Sequence, residues 1–137
     1  MSVLLDAFAL IALLADEPAA EKVESLIRRG DTVITAVNLA EALDVLQRVE
    51  RIPRKRLEEF MFPLVGEQIR LQPVDELVAR DAADIRSRRY HRTRAPLSLA
   101  DCILLGATRQ GDSLATADRP LLRAAEAEGI DVVPLAT

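Results

Sequence analysis

The feature that most constrains the fold is an alternation between short apolar runs and longer segments with helical periodicity. The short runs predict strands at residues 3–6, 32–35, 69–72, 113–116 and 131–135. The longer segments predict helices at residues 7–15, 19–29, 37–49, 53–65, 75–90, 99–110 and 119–128. Strands separated by helices favour crossover connections and a parallel sheet covered on both faces. We therefore expect an α/β protein, a three-layer α/β/α sandwich formed by one domain over residues 1–137.

Glycines and prolines agree with these boundaries. Gly30, Gly111 and Gly129 follow the predicted helices, where a left-handed residue commonly ends a helix. Pro53 and Pro120 lie near predicted helix starts, where a missing N–H removes no hydrogen bond.

Composition excludes several classes of protein. The single cysteine, Cys102, cannot form an intramolecular disulfide, and the single histidine, His91, leaves too few soft ligands for a structural zinc site. The apolar run at residues 7–15 is too short to span a bilayer, and no basic segment precedes it. We expect no signal peptide and no membrane span, and therefore a cytoplasmic protein.

Two carboxylates follow predicted strands. Ligands of open parallel sheets bind at the carboxyl ends of the strands, and Asp6 and Asp118 occupy such positions. Each could instead cap the helix that follows, since Asp is a favoured N-cap residue. For Asp118 taken alone, the Arg119-Pro120 pair that comes next favours the cap.

A third carboxylate, Asp101, lies near the start of a helix that is apolar on almost every side. Burying a carboxylate there is unfavourable unless it is paired or binds a cation. The alternative is a capping box in which Asp101 accepts from the Ser98 amide. We favour a functional role modestly over the cap.

The fourth carboxylate, Glu41, gives the weakest signal. Its helix is predicted to bury Leu39, Leu43 and Leu46, which leaves Glu41 toward the opposite edge, near Arg48. Taken alone, Glu41 is better explained as a solvated helix residue.

The four acids indicate more together than separately. Oxygen-rich sites suit hard cations such as Mg²⁺ and Mn²⁺, which also bind substrate phosphates. If the acids converge, their mutual repulsion should raise at least one carboxyl pKa, and a divalent cation should relieve the repulsion.

Four segments, at residues 3–6, 37–41, 96–101 and 114–119, resemble the acidic motifs of PIN-domain ribonucleases. Their order and spacing are most similar to the VapC-type toxins of toxin–antitoxin pairs, over nearly the whole chain. The resemblance implies a PIN-like fold and endonucleolytic hydrolysis of RNA with one or two Mg²⁺ or Mn²⁺ ions. Asp6, Glu41 and Asp101 would be the principal ligands and Asp118 a further one, with Thr116 and Asn38 in supporting positions.

This chain departs from the family pattern at one position near the first acid. The resemblance also implies binding partners. The family usually carries a small polar residue two positions after the first acid, where this chain has Phe8. A cognate antitoxin and a homodimer are the implied partners. Leu57, Phe60, Met61 and Leu64 are predicted to be core, although such helices in the family also help to form an antitoxin groove or a dimer contact.

The net charge is −4, yet residues 86–94 carry basic side chains and no acid. These arginines could simply be solvated residues that complement a helix dipole. We favour slightly the alternative that they bind RNA phosphates, with Tyr90 stacking on a base. The candidate RNA-binding residues are Arg86, Arg88, Arg89, Arg92 and Arg94.

Two other functions are compatible with an acid-rich α/β domain. A non-catalytic PIN-like binding module would carry the same acids without a functional metal, and Phe8 is its best support. A receiver-type signalling domain would need a lysine at a strand end, whereas the two lysines, Lys22 and Lys55, both lie in predicted helices. We rank the receiver lowest.

Overall fold

The computed structural model describes residues 1–137 and contains five strands and seven helices. The strands are β1 (Val3–Leu5), β2 (Thr32–Thr35), β3 (Ile69–Gln72), β4 (Ser113–Thr116) and β5 (Asp131–Pro134). The helices are α1 (Ala7–Leu14), α2 (Ala20–Arg29), α3 (Ala36–Arg48), α4 (Arg54–Leu64), α5 (Glu76–Arg89), α6 (Leu99–Ala107) and α7 (Arg119–Ala127). No helix combines the length and the apolar character needed to cross a bilayer.

The strands form one parallel sheet in the order β3-β2-β1-β4-β5. The chain moves outward from β1 through β2 to β3 and then crosses back to the other side of β1. The strand order therefore reverses between β1 and β4, which makes their carboxyl ends the topological switch point of the sheet.

Two apolar clusters cover the two faces of the sheet. Successive strand residues point to opposite faces, so Leu4, Val33 and Leu114 join one cluster with residues of α5, α6 and α7. Their neighbours Leu5 and Ile34 join the other cluster, with residues of α1, α2 and α3. This arrangement confirms the predicted α/β/α sandwich and explains why β1, β2 and β4 are apolar along both faces.

The predicted helices and strands are all present, but some ends are wrong. The sixth helix stops at Ala107 instead of Gln110, because Thr108 turns to an extended conformation and its hydroxyl donates to the Leu104 carbonyl. Gly111 (φ +90°) consequently lies in the turn before β4, whereas Gly30 (φ +99°) does end α2. The first strand ends at Leu5 and the fifth at Pro134.

Two predictions about buried helix faces are wrong in part. On α3 the buried residues are Asn38, Ala42 and Leu46, while Leu43 is only partly covered. On α4 Leu57 is buried as predicted and Met61 and Leu64 pack against the core, but Phe60 is exposed. The neighbouring Phe62 is 83% exposed, so α4 presents aromatic surface to solvent.

Candidate metal centre

Asp6 and Asp118 meet at the switch point through a shared hydroxyl. Asp6 directly follows β1, and Thr116, the last residue of β4, donates its Oγ1 hydrogen to Asp6 Oδ2. The same Thr116 Oγ1 accepts the backbone N–H of Asp118 at 3.0 Å. One buried hydroxyl therefore ties the two strand ends together and orients the backbone that carries Asp118.

Asp6 is a buried acid without a basic partner. Its exposed fraction is 6%, and Oδ1 accepts the Ala9 N–H at 2.9 Å, so the residue also caps α1. Burial raises the pKa of Asp6 to about 6, against the lowering effect of the bonds from Thr116 and Ala9. The negative charges of Asp101 and Asp118 raise it further.

Asp101 forms the predicted capping box and remains electrostatically unfavourable. Its Oδ2 accepts the Ser98 N–H at 3.0 Å, and Ser98 Oγ accepts the Asp101 N–H at 3.0 Å. Burial raises the pKa of Asp101 despite these bonds, and the charge of Asp118 adds to the effect. The capping and functional explanations are thus compatible, since the cap uses one of two carboxylate oxygens.

Glu41 experiences the charge of Asp101, whereas Arg48 pairs with Asp44 at 2.9 Å. Although Glu41 as a residue is exposed, partial burial of its carboxyl group raises its pKa, and the charge of Asp101 acts in the same direction. Its Oε1 accepts from Asn38 Nδ2 at 3.1 Å. The sequence-based prediction that Glu41 is solvated is confirmed by its exposure, but the expected neighbour Arg48 is not its partner.

The four carboxylates have an oxygen-only donor set and no countercharge. None of the five ion pairs in the structure includes Asp6, Glu41, Asp101 or Asp118. Glu41, Asp101 and Asp118 each use one oxygen in a bond to a protein N–H, and their second oxygens accept no protein hydrogen bond. Such a set fits a hard divalent cation. No three acidic, histidine or cysteine side chains are already spaced to hold a metal ion.

The Phe8 side chain makes no hydrogen bond to the four acids. It is half-buried and packs against the apolar cluster that includes α1 and α2. The side-chain hydroxyl that bonds to the first acid comes from Thr116, on a different strand.

The basic segment divides into paired and unpaired arginines. Arg88 and Arg89 both bind Glu128, at 2.8 and 2.7 Å, and Arg86 stacks on the Tyr90 ring while its Nε donates to the Leu97 carbonyl. In contrast, Arg92 and Arg94 are exposed, and their side chains make neither an ion pair nor a hydrogen bond.

Sequence reasoning missed a further arginine in this region. Arg94 lines a groove of about 170 Å³ together with Pro120 and Arg123 on α7, the helix that Asp118 caps. Arg123 follows Arg119 by four positions, one helical turn, in the helix after Asp118, and this spacing is the sequence signal that would have identified it. A cavity of about 540 Å³ lies elsewhere, near the amino ends of β4 and β5.

The fold and the site define an α/β protein with an acidic centre at the switch point of a parallel sheet. The family model described as the PIN domain matches residues 3–127, so the chain belongs to the PIN-domain family. PIN domains are in general nucleases. The resemblance inferred from the four acidic motifs is confirmed at the level of the family.

Solved structures agree with this assignment. The crystal structure of FitAcB from Neisseria gonorrhoeae is 28% identical over 95% of both chains, with a TM-score of 0.67. The structure of FitAB bound to an IR36 DNA fragment is 23% identical over 96% of this chain and 94% of that one, with a TM-score of 0.69, and supports the fold. No curated protein matches the chain.

Proposed function

We propose that the chain is a Mg²⁺- or Mn²⁺-dependent endoribonuclease and the toxin of a type II toxin–antitoxin pair. One observation carries the nuclease proposal: four carboxylates from separate elements share a region with no basic partner. Asp6, Glu41 and Asp101 each have a raised pKa, and in each case the charge of another of the four acids contributes. A divalent cation is the simplest countercharge for such a set.

In this proposal Asp6, Glu41, Asp101 and Asp118 hold the cation. When bound, the cation supplies positive charge at the scissile phosphate and promotes deprotonation of the attacking water. Thr116 and the Ser98 capping box hold Asp6 and Asp101 in place. Glu41 keeps one oxygen without a protein partner, and that oxygen would be available to accept the proton of the water.

The RNA strand would pass over the unpaired arginines next to Asp118. Arg92 and Arg94 have no acidic partner, and Arg94 shares its groove with Arg123 on the helix that begins after Asp118. The RNA phosphates would supply the negative partner charge that these guanidinium groups do not have in the free protein. Arg86, Arg88 and Arg89 contribute less directly, because the protein already occupies their side chains.

The toxin assignment and its partners rest on the resemblance to VapC-type proteins and on the fold shared with FitAcB. A cognate antitoxin segment would occupy the apolar groove between α1 and α4, which has a volume of about 370 Å³. The exposed Phe60 that lines this groove is suited to such a partner or to a homodimer. With RNA as substrate and one reduced cysteine, we propose a cytoplasmic protein. The groove is lined by Leu13, Leu14, Arg51, Ile52, Pro53, Arg56, Leu57 and Phe60.

Replacement of Asp101 by Asn tests the nuclease proposal. The variant removes charge from the site but can still accept the Ser98 N–H, so the fold should persist. We expect Mn²⁺-dependent cleavage of single-stranded RNA to fall by roughly 100-fold or more, because several kcal/mol of transition-state stabilisation depend on the cation.

The matched control is Asp75→Asn, which alters an exposed N-cap on α5 away from the four acids and should cleave RNA as the wild type does. Equal cleavage by Asp101→Asn and wild type would contradict the proposal. Complete absence of metal-dependent cleavage in the wild type, with RNA still bound, would favour the non-catalytic binding module instead.

A further inference from the structure

Two buried polar residues connect strand β2 to Glu41. Thr35, the last residue of β2, is fully buried, and Asn38, in the first turn of α3, is 1% exposed. The Thr35 hydroxyl donates to Asn38 Oδ1 at 2.6 Å and accepts the Asn38 backbone N–H at 3.0 Å. Asn38 Nδ2 then donates to Glu41 Oε1 at 3.1 Å.

The chemistry of these groups permits one orientation of the Asn38 amide. A carboxylate only accepts hydrogen bonds, so the amide nitrogen must face Glu41. The amide oxygen then faces Thr35, where it requires a donor because it is buried. The hydroxyl hydrogen of Thr35 supplies that donor, and its lone pair remains available for the backbone N–H.

Capping of α3 explains only half of this arrangement. An N-cap needs an acceptor for the N–H three residues later, and Asp6, Asp75 and Asp118 perform that function with a carboxylate. A hydroxyl at position 35 can also donate, and its hydrogen is directed at Asn38 Oδ1. An Asp at this position would cap the helix but would leave Asn38 without a donor.

We propose that Thr35 is a positioning residue that acts through Asn38 to hold Glu41 at the acidic centre. Glu41 has three rotatable side-chain bonds and an exposed position, so an untethered side chain would sample solvent-facing rotamers. The bond from Asn38 fixes one oxygen and leaves the other free toward the region that it shares with Asp101. This inference rests on the proposed function, in which Glu41 is a cation ligand.

Thr35→Val and Asn38→Ala test the proposal by Mn²⁺ titration calorimetry on the full chain. We expect each to weaken Mn²⁺ binding by about tenfold, the lower end of what removal of a group supporting a metal ligand usually causes. Thr35→Ser retains the hydroxyl and should restore wild-type affinity. Asn38→Ala keeps the backbone N–H that Thr35 caps, so it still tests the proposal if Thr35→Val does not fold.

Thr32→Val is the matched control. Thr32 is buried in the same strand, and its hydroxyl donates to the Gln68 carbonyl at 3.3 Å, at the opposite end of β2. This variant should bind Mn²⁺ as the wild type does. A second readout needs no metal: the Asn38 side-chain amide signals in a ¹⁵N–¹H spectrum should move in Thr35→Val and stay in place in Thr32→Val.

The outcomes separate this inference from the proposed function. Wild-type Mn²⁺ affinity in both Thr35→Val and Asn38→Ala would overturn the positioning role and leave the nuclease proposal intact. Failure of the wild type to bind Mn²⁺ would overturn the proposed function, and with it the role of Glu41 as a ligand. Unmoved Asn38 amide signals in Thr35→Val would show that Thr35 does not orient the amide.

Discussion

At the scale of single residues, Asp6 shows how a structural and a functional role can coincide. It caps α1 through Oδ1 and accepts the Thr116 hydroxyl through Oδ2, so each oxygen has a partner. These neutral donors do not balance a full negative charge in a buried site. Burial therefore raises the pKa of Asp6 to about 6, and Asp101 and Asp118 increase the effect.

This raised pKa predicts a pH dependence of stability. In the unfolded chain Asp6 titrates near 3.8, so between pH 4 and pH 6 the folded state binds more protons. The free energy of unfolding should consequently fall as pH rises through this range, by up to about 3 kcal/mol at about 1.4 kcal/mol per pKa unit. It should level off above pH 6. Urea denaturation in EDTA at several pH values measures this free energy of unfolding.

The Asp6→Asn variant isolates the residue responsible. Asn also caps helices well, so the variant should be more stable than the wild type at pH 7.5 and should lose most of the decline between pH 4 and pH 6. Asp75→Asn, which changes an exposed cap, should keep the decline. An unchanged pH profile in Asp6→Asn would show that this acid does not carry the unfavourable charge.

Sequence alone identified the candidate residues whose position depends on the strands, and it missed those whose role depends on packing or on the direction of a hydrogen bond. Asp6 and Asp118 were recognisable because the residue after a parallel strand faces the binding edge whatever the packing. Glu41 was predicted to be solvated, and it is exposed, but helical periodicity does not show that α6 packs near enough for the charge of Asp101 to act on it. Thr35 was missed because its role depends on where its hydroxyl hydrogen points.

At the scale of elements, the strands were easier to predict than the helix ends. Strands β1, β2 and β4 each have residues in two apolar clusters, which requires a continuous apolar run and gives a clear signal. Helix α6 ended three residues early, at a point where the Thr108 hydroxyl donates to the Leu104 carbonyl and the Arg109 N–H donates to Asp112 Oδ2 instead of a helical carbonyl. A local competition of that kind leaves no periodic signal in the sequence.

The basic loop between α5 and α6 predicts a division of labour among its arginines. Arg92→Glu with Arg94→Glu should weaken binding of single-stranded RNA, because these side chains have no partner in the free protein. The slope of log K against log salt should decrease by about 0.7 for each RNA phosphate that the variant no longer neutralises. Fluorescence anisotropy at several salt concentrations, with the Asp101→Asn background to prevent cleavage, measures both.

The control for that experiment has the same charge change at the other end of the sheet. Arg28→Glu with Arg29→Glu alters exposed arginines at the end of α2, which leads into the amino end of β2. An equal decrease of affinity and of salt slope in both double variants would mean that net charge, and not the basic loop, determines RNA binding.

At the scale of the whole molecule, topology explains why acids distant in sequence share one region. The central strand β1 has β2 and β4 as neighbours, so the carboxyl ends of β1 and β4 bring Asp6 beside Thr116 and Asp118. Packing of α3 against α6 adds Glu41 and Asp101. Sequence alone predicted the strands but not their order, which is set by the packing of helices on both faces.

The shared region predicts that Mn²⁺ stabilises the entire fold. A cation that binds the folded state at 100 times its Kd adds about 2.7 kcal/mol to the free energy of unfolding, which for a domain of this size is a rise in Tm of roughly 10 °C. The rise should be smaller at pH 5 than at pH 7.5, because protons compete for Asp6, whose pKa is about 6. Glu41→Gln and Asp101→Asn should lose most of the rise in scanning calorimetry, whereas Asp75→Asn should keep it. A Tm shift of equal size in all of these variants would place the Mn²⁺ site elsewhere on the protein.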